Sequence, residues 1–439
     1  MLQDTPKFDS SRITLSFGVM SDFHIKQDAE PERDNREKLC SAIGQLYARA
    51  KRDDPRGLAL LIAAGDLTHD GAPEEIALLR QTMDRVMDWE KTAFIYVAGN
   101  HDRHNRECNA AYYEIFGELT DRAFDAQNAA PDGLLSGNRH FTVKGRHFIT
   151  LDPGKYHKHE PNVFSESTKL WLDETLAAIT AAEPGAYVYV ITHLLMQDTC
   201  YGSSRGFFYA TDDVSAILKK YPQVVTFGGH LHYPLNDERA IMQTSFTAME
   251  TATLSDMLID GFDCDNVRKT KTDGNRYFAQ GLLVQQDVMG NLRVTRMDFW
   301  HGAEIDEPWY LDAPTADGAH LMRYTAQRAA TAVKPTLTGE IESVFAASED
   351  GISCLKLTLY AADCEGFVRA YTATLTGANG ETVRQYRHMT DYYRYPQYRD
   401  MPRRVGIMIP DVAPDRYTVS VTAHDCWGNV GNTLTGTIE

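Results

Sequence analysis

The stretch Gly228-Gly229-His230-Leu231-His232 directly follows the apolar run Val224–Phe227. A short, β-branched apolar run that ends in glycines indicates a buried strand entering a loop. Two histidines at i and i+2 just after a strand can reach two points in a cavity, and neutral imidazole is a common ligand of transition metals. Taken alone, such a pair is more often incidental, so its meaning depends on the rest of the chain.

Four other apolar runs end in the same kind of residue. Asp22 and His24 follow Ile13–Met20, Asp66 follows Gly57–Ala64, Asn100-His101-Asp102 follow Phe94–Ala98, and His193 follows Ala186–Thr192. Amphipathic patterns between these runs predict helices over 36–52, 73–90, 167–180 and 213–220. The alternation predicts an α/β fold with right-handed crossovers, and at this level a doubly wound sheet.

The residues at these predicted strand ends share one kind of chemistry. Ligands bind at the carboxyl ends of strands in layered α/β folds. Carboxylates, imidazoles and one amide form a mixed nitrogen and oxygen set, which suits Mn, Fe or Zn better than Ca. The set is too large for one four-coordinate ion, and it fits two ions that share a carboxylate. Two metals roughly 3.5–4 Å apart can hold both the attacking and the leaving oxygen in phosphoryl transfer.

The order of the blocks resembles the calcineurin-like metallophosphoesterase family. The blocks are Asp22-x-His24, Gly65-Asp66, Gly99-Asn100-His101-Asp102, His193 and Gly229-His230-x-His232, within residues 14–300. The resemblance, which is to the cyclic-nucleotide phosphodiesterase branch, implies a four-layer core instead of one doubly wound sheet. In that core two mixed β-sheets pack as a sandwich flanked by helices.

The resemblance also implies a role for each residue. Asp22, His24 and His232 would hold one metal, Asn100, His193 and His230 the other, and Asp66 would bridge. The cofactors would be two divalent or trivalent transition metal ions, Mn, Fe or Zn. A metal-bridging hydroxide would attack, with His101 as general acid and Asp102 orienting its ring. One departure is that this chain has Thr192-His193 where many members have two histidines.

Several further residues are weaker candidates for substrate contact. Arg103 and His104 follow the catalytic block, and Arg205 lies in the glycine-bearing stretch 201–208, where it could anchor an anion. Tyr156, His157 and His159 lie in a polar loop. For each of these, a place in an ordinary surface loop explains the sequence at least as well.

The predicted function is hydrolysis of a small phosphodiester. The alternatives are a phosphomonoesterase or nucleotide pyrophosphatase, and a non-catalytic scaffold, which filled ligand positions disfavour. The net charge of −17 disfavours a nucleic-acid duplex as partner, and no apolar stretch has the length of a membrane span. Seven dispersed cysteines are typical of a reducing compartment, so we expect a cytoplasmic protein. The sequence does not indicate the oligomeric state.

The composition changes near Pro335. Seven short candidate strands follow within about a hundred residues, which predicts an immunoglobulin- or fibronectin-like β-sandwich. The predicted domains are therefore a catalytic domain over 1–312, a linker with a short helix over 313–335, and the β-sandwich over 336–439. The segment Asp391–Arg404 is rich in Tyr and Arg. It is either an ordinary sandwich loop or a cap over the catalytic site, and the sandwich itself could bind carbohydrate or protein.

Overall fold

The computed structural model describes residues 7–27, 34–104, 126–131, 137–154, 161–206, 210–259, 263–267, 277–315, 321–347 and 353–438. Contacts divide the chain into two units. The first contains the described parts of Met1–Leu235, Arg239–Ile259 and Asp273–Thr325. The second contains those of Asn236–Glu238, Asp260–Thr272 and Ala326–Glu439. The second unit therefore draws on three chain segments, whereas the boundaries proposed from sequence are contiguous.

The helices described in the first unit are α1 (Asn35–Asp53), α2 (Pro73–Asp84), α3 (Glu166–Ala182) and α4 (Ser215–Leu218). The side chains of Asp34 and Ser165 cap α1 and α3 by accepting from main-chain N–H groups of the first turn. The predicted second helix was too long. It ends at Asp84 and not at Glu90, because the following N–H groups bond back to the Met83 carbonyl in a turn.

The described strands of the first unit are numbered in chain order. They are β1 (Ile13–Met20), β2 (Leu60–Ala64), β3 (Ala93–Val97), β4 (Ala126–Ala129), β5 (Arg139–Val143), β6 (Arg146–Leu151), β7 (Val188–Thr192), β8 (Leu195–Met196), β9 (Ala210–Thr211), β10 (Val224–Gly228), β11 (Ile241–Gln243), β12 (Thr247–Glu250), β13 (Gln280–Asp287), β14 (Leu292–Asp298), β15 (Ala303–Glu304) and β16 (Trp309–Leu311).

These strands form two large mixed sheets. The first has the order β15-β14-β13-β1-β2-β3, with β16 also paired to β14. In it β1, β2 and β3 are parallel, whereas β13 and β14 are antiparallel to their neighbours. The second has the order β11-β12-β10-β7-β6-β5-β4, with β12, β10, β7 and β6 parallel. The short strands β8 and β9 pair separately.

The two sheets pack face to face through aromatic rings. Phe17 of β1 contacts Phe148 of β6, Tyr189 of β7 and Phe227 of β10, with ring centroids 5.4, 5.0 and 6.1 Å apart. All four side chains are buried. These contacts place the inner faces of the two sheets against each other, as in a β-sandwich.

Helices cover the outer face of each sheet. Leu46 of α1 belongs to one buried cluster with Leu61 and Phe94 of the first sheet. Leu176 of α3 belongs to another with Val190 of the second sheet. The layer order is therefore helices, sheet, sheet, helices. The four-layer prediction is confirmed, and the single doubly wound sheet is wrong because the parallel strands are split between two sheets.

The second unit is an all-β sandwich preceded by the short helix α5 (Gln327–Thr331). Each predicted strand is present. The strands are β17 (Glu342–Ala347), β18 (Ser353–Tyr360), β19 (Val368–Thr376), β20 (Thr382–Met389), β21 (Arg404–Pro410), β22 (Tyr417–Asp425) and β23 (Val430–Ile438). A three-stranded sheet with the order β17-β18-β21 and a four-stranded sheet with the order β20-β19-β22-β23 enclose one apolar core, and all pairs are antiparallel.

The Tyr- and Arg-rich segment lies in this second unit. Tyr392 is buried and stacks on Phe367, with ring centroids 4.0 Å apart and planes 13° from parallel. One end of the segment therefore packs within the second unit, and its role as a cap stays a prediction. In the described part of the chain, no helix combines the length and the apolar character that crossing a bilayer requires.

Candidate metal centre

The seven predicted metal ligands all follow parallel strands by no more than four residues. Because β1, β2 and β3 are parallel, their carboxyl ends meet at one edge of the first sheet, and the same holds for β7 and β10 in the second. The structure brings together the side chains of Asp22, His24, Asp66, Asn100, His193, His230 and His232.

The loops that carry these residues are fixed by main-chain bonds and by unusual dihedral angles. The N–H groups of Asp22 and His24 donate to the carbonyls of Gly65 and Asp66, at 2.9 and 3.0 Å. Half of the ten described non-glycine residues with positive φ are predicted ligands: Asp22, His24, Asp66, His230 and His232. Such conformations cost of order 1–3 kcal/mol each and concentrate at functional sites, so the surrounding structure holds these side chains in place.

One group of donors consists of Asp22, His24 and His232. The Nε2 atoms of the two histidines lie only 3.2 Å apart, and Nε2 of His232 lies 3.0 Å from Oδ1 of Asp22. The other ring nitrogen of His232, Nδ1, is 2.6 Å from the carbonyl of Asp256, to which it donates. That bond leaves Nε2 of His232 with a lone pair directed at the group's centre.

A second group is built around His193. Its Nε2 lies 3.1 Å from Oδ1 of Asn100 and 3.3 Å from Oδ2 of Asp66, while Nδ1 lies 2.9 Å from the Ala64 carbonyl. The ring of His230 packs edge-on against that of His193, with centroids 5.0 Å apart. Oxygens thus surround both nitrogens of the His193 ring, an arrangement that requires a proton or a cation between the Nε2 atom and its two acceptors.

Asp66 lies between the two groups. Its Oδ2 is 3.3 Å from Nε2 of His193 and 3.7 Å from Nε2 of His24. Its Oδ1 accepts from the main-chain N–H of His101 at 2.8 Å. A carboxylate in this position can serve cations on both sides.

The pKa values of the buried carboxylates and imidazoles depend on their neighbours in the site. Burial would raise the pKa of Asp66, but His193 and His24 beside it hold that pKa well below its usual range. Burial would lower the pKa of His193, but Asp66 raises it to about 10. In His230, burial and the neighbouring His193 lower the pKa to about 4, so its imidazole is neutral and able to donate a lone pair.

The residues present fit a pair of transition metal cations. Oδ1 of Asp22 is fully buried and has no hydrogen bond of adequate geometry, although a histidine nitrogen lies close to it. A cation would use this oxygen. Two imidazole nitrogens 3.2 Å apart suit a shared ion, since metal–nitrogen bonds are about 2.0–2.1 Å long. Mixed nitrogen and oxygen donors are typical of transition-metal sites.

His101 lies at the rim of the site, and the predicted partner of its ring needs correction. Its Nδ1 lies 2.7 Å from the main-chain carbonyl of His69 and donates to it. The carboxylate of Asp102 instead accepts from the N–H groups of Leu67, Thr68 and Gly99 and from the Thr68 hydroxyl. Asp102 therefore joins the loops after β2 and β3, because its side chain turns into the protein, away from the ring it was predicted to orient.

Arg103 has a buried partner. Its guanidinium is paired with the carboxylate of Asp152, and the two side chains are 10% and 0% exposed. This pair neutralises charge inside the protein, and the substrate role of Arg103 stays a prediction. The candidates Tyr156, His157 and His159 lie outside the described residues.

The other two weak candidates are also engaged with protein groups. Nδ1 of His104 lies 3.5 Å from Oδ1 of Asp70, and both side chains are about half exposed. A guanidinium N–H of Arg205 donates to the hydroxyl of Tyr233. Their substrate roles likewise stay predictions.

Sequence reasoning missed His69. Its imidazole, half-buried, lies beside those of His24 and His101, with ring centroids 5.7 and 5.2 Å away. It follows Asp66 by three residues, whereas the predicted ligand Asp66 is the first polar residue after its apolar run. The signal that could have found it is Thr68-His69-Asp70, a second polar cluster after the same strand.

Gly99 allows the close approach of two loops, which yields a test. A Cβ atom there would lie 2.1 Å from Oδ1 and 2.4 Å from the main-chain nitrogen of Asp66, so Gly99→Ala must displace Asp66 or the loop that contains Gly99. We expect cation affinity to fall roughly 10–100-fold, as for other groups that support metal ligands, measured by calorimetric titration.

The matched control for this test is Gly44→Ala. Gly44 is exposed in α1, and an added Cβ meets nothing within 4 Å. This variant should retain cation affinity and gain about 0.5–1 kcal/mol in free energy of unfolding. Wild-type cation affinity in Gly99→Ala would show that Asp66 does not need its observed position.

Among the comparisons with known proteins, one identifies a family. A family model described as calcineurin-like phosphoesterase matches residues 15–234, about half of the chain and the part that contains every predicted ligand. Among curated proteins, no match was found.

Two solved structures are similar in part. A 5'-nucleotidase from Candida albicans SC5314 shares 15% identity over 57% of this chain and 47% of its own, with a TM-score of 0.34. The Termus thermophilus sulfate thiohydrolase SoxB shares 13% identity over 69% of this chain and 59% of its own, with a TM-score of 0.36. The chain thus spans between about half and three fifths of the length of these two proteins.

Proposed function

Because the chain belongs to the calcineurin-like phosphoesterase family, we propose that it is a metal-dependent phosphohydrolase acting on a small phosphodiester. The observation that best supports this proposal is the position of Asp66. Its Oδ2 lies within 3.7 Å of the Nε2 atoms of His24 and His193, which belong to different donor groups. A single carboxylate can therefore connect two cation sites and hold two metals close together, as two-metal phosphoryl transfer needs.

The proposed ligands are divided between the two donor groups of the candidate metal centre. Asp22, His24 and His232 would hold one cation, Asn100, His193 and His230 the other, and Asp66 would contact both. Mn, Fe and Zn are the proposed ions. When bound, such a pair stabilises negative charge on phosphoryl oxygens and lowers the pKa of a water to about 7.

His101 is the proposed general acid. Because Nδ1 of its ring donates to the His69 carbonyl, the proton passed to the leaving oxygen comes from Nε2. The neutral ring that remains keeps its proton on Nδ1, the tautomer that this carbonyl stabilises. Asp102 is a positioning residue: its carboxylate joins the loops that contain Asp66 and His101.

Two parts of the proposal rest on the sequence. The preference for diesters derives from the resemblance to the cyclic-nucleotide phosphodiesterase branch. The cytoplasmic location derives from the dispersed cysteines. A non-catalytic scaffold has less support, because every proposed ligand position carries a side chain able to bind a cation.

A substrate panel tests the proposal. The protein is assayed with added Mn, Fe or Zn on bis-p-nitrophenyl phosphate, p-nitrophenyl phosphate, a cyclic nucleotide, a glycerophosphodiester and a nucleoside diphosphate ester. We expect the highest kcat/KM for a diester. Higher kcat/KM for monoesters or for pyrophosphate bonds would replace the diester assignment. No turnover of any substrate with any cation would refute the enzyme proposal and favour the non-catalytic scaffold.

A further inference from the structure

The candidate metal centre has a closed side and an open side. Asp22, Asp66 and His193 are 0%, 1% and 0% exposed, so they form its floor. On the other side lie His24, whose side chain is 10% exposed, and the partly buried His101 and His69. The imidazole of His69 is neither a proposed metal ligand nor the proposed acid. If the protein is a phosphohydrolase, as proposed, a phosphoester approaching from solvent must meet this half-buried face. A role for His69 in substrate binding therefore rests on that proposed function.

The main chain places His69 on that face by hydrogen bonds that continue the pairing of His24 with Asp66. The N–H of Ile25 donates to the Leu67 carbonyl at 3.1 Å, and the N–H of His69 donates back to the Ile25 carbonyl at 3.0 Å. The loops after β1 and β2 therefore continue as a paired ladder beyond the sheet. The imidazole of His69 is carried by a paired backbone segment and not by a free loop.

Three imidazoles meet at this point. Ring nitrogens of His24, His69 and His101, one from each, all lie within 4.8 Å of one another. The planes of the His69 and His101 rings are 39° apart, with centroids at 5.2 Å. A phosphoryl group is large enough for its separate oxygens to contact two rings at this spacing while a third oxygen faces the metal groups.

We propose that His69 is a substrate-binding residue whose imidazole N–H donates to a non-bridging oxygen of the phosphoryl group. His101 then faces the leaving oxygen, and the hydrogen bond from His69 keeps the phosphoryl group aligned with the His101 ring. The contact involves only the phosphoryl group, so it serves monoesters, diesters and inorganic phosphate alike. His69 therefore contributes to affinity for the phosphoryl group and does not select the alcohol.

Binding of inorganic phosphate to the Mn-loaded full-length protein tests this role, measured by calorimetry in wild type, His69→Leu and His69→Gln. A hydrogen bond to a charged group accounts for roughly a tenfold change in affinity or more, so His69→Leu should weaken phosphate binding by about that factor. His69→Gln keeps an N–H donor and should recover part of the affinity. His147→Ala, which removes an imidazole near the start of β6, should bind phosphate as wild type does.

Elemental analysis of the same samples separates the outcomes. The proposal requires that Mn content stay unchanged in both His69 variants while phosphate affinity falls. Unchanged phosphate affinity in His69→Leu would overturn it, and a loss of Mn would assign His69 to cation binding instead. Because phosphate binding is measured without turnover, a wild type that hydrolyses nothing refutes the proposed function while the comparison of the His69 variants still decides their role.

Discussion

Asp66→Asn should abolish hydrolysis and cation binding together. The asparagine is nearly the same size, but its amide lacks the negative charge and the second equivalent oxygen that the position between His24 and His193 requires. Metal ions supply several kcal/mol of transition-state stabilisation, so activity should fall by roughly a thousandfold or more. Cation content by elemental analysis should fall in both groups, and not in one alone.

The matched control is Asp173→Asn. Asp173 forms a surface pair with Lys220 at 2.6 Å, and exposed pairs contribute only about 0–1 kcal/mol to stability. This variant should retain both activity and cations. If Asp66→Asn kept its full cation content while losing activity, the bridging role would be refuted, and Asp66 would act on the substrate or on the loop of His101 instead.

His101→Ala should remove activity without removing cations. Its ring belongs to neither of the two groups around Asp66, whereas its main-chain N–H, which bonds Oδ1 of Asp66, is unaffected by the substitution. Loss of a general acid typically costs 10²–10⁴-fold, so we expect a fall in kcat of about that size. Kinetics and elemental analysis on the same preparation check both parts.

Leaving groups provide the internal control for this variant. Nitrophenolate departs readily without a proton, whereas an alkoxide needs one. The loss in His101→Ala should therefore be much larger for an alkyl phosphodiester than for its nitrophenyl counterpart. An equal loss for both esters would contradict proton donation and would indicate that His101 positions the phosphoryl group.

The positions of the proposed ligands were predictable from the sequence because all of them occur at the same kind of place in the chain. Each follows a short apolar run, and parallel strands necessarily bring their carboxyl ends to one edge. The same regularity did not reveal that these strands belong to two sheets. An apolar run such as Val188–Thr192 gives no sign of which strands it will pair with, and only the resemblance supplied the sandwich.

What the sequence did not show depends on the directions of side chains and on contacts between distant segments. Asp102 adjoins His101 in the chain, so it was paired with that ring, but the turn after β3 points its carboxylate toward Thr68 and Gly99. The pairing of Arg103 with Asp152 spans 49 residues of chain and cannot be inferred from spacing. His69 was missed because its position in the site depends on hydrogen bonds between the loops after β1 and β2. The spacing of apolar residues in the sequence does not indicate such pairing.

Anomalous diffraction from crystals of the Mn-loaded protein tests the central claim most directly. We predict two Mn peaks about 3.5–4 Å apart. One should be bound by Asp22, His24 and His232, the other by Asn100, His193 and His230, with oxygens of Asp66 bound to both. A single peak, or peaks that Asp66 does not connect, would contradict the account.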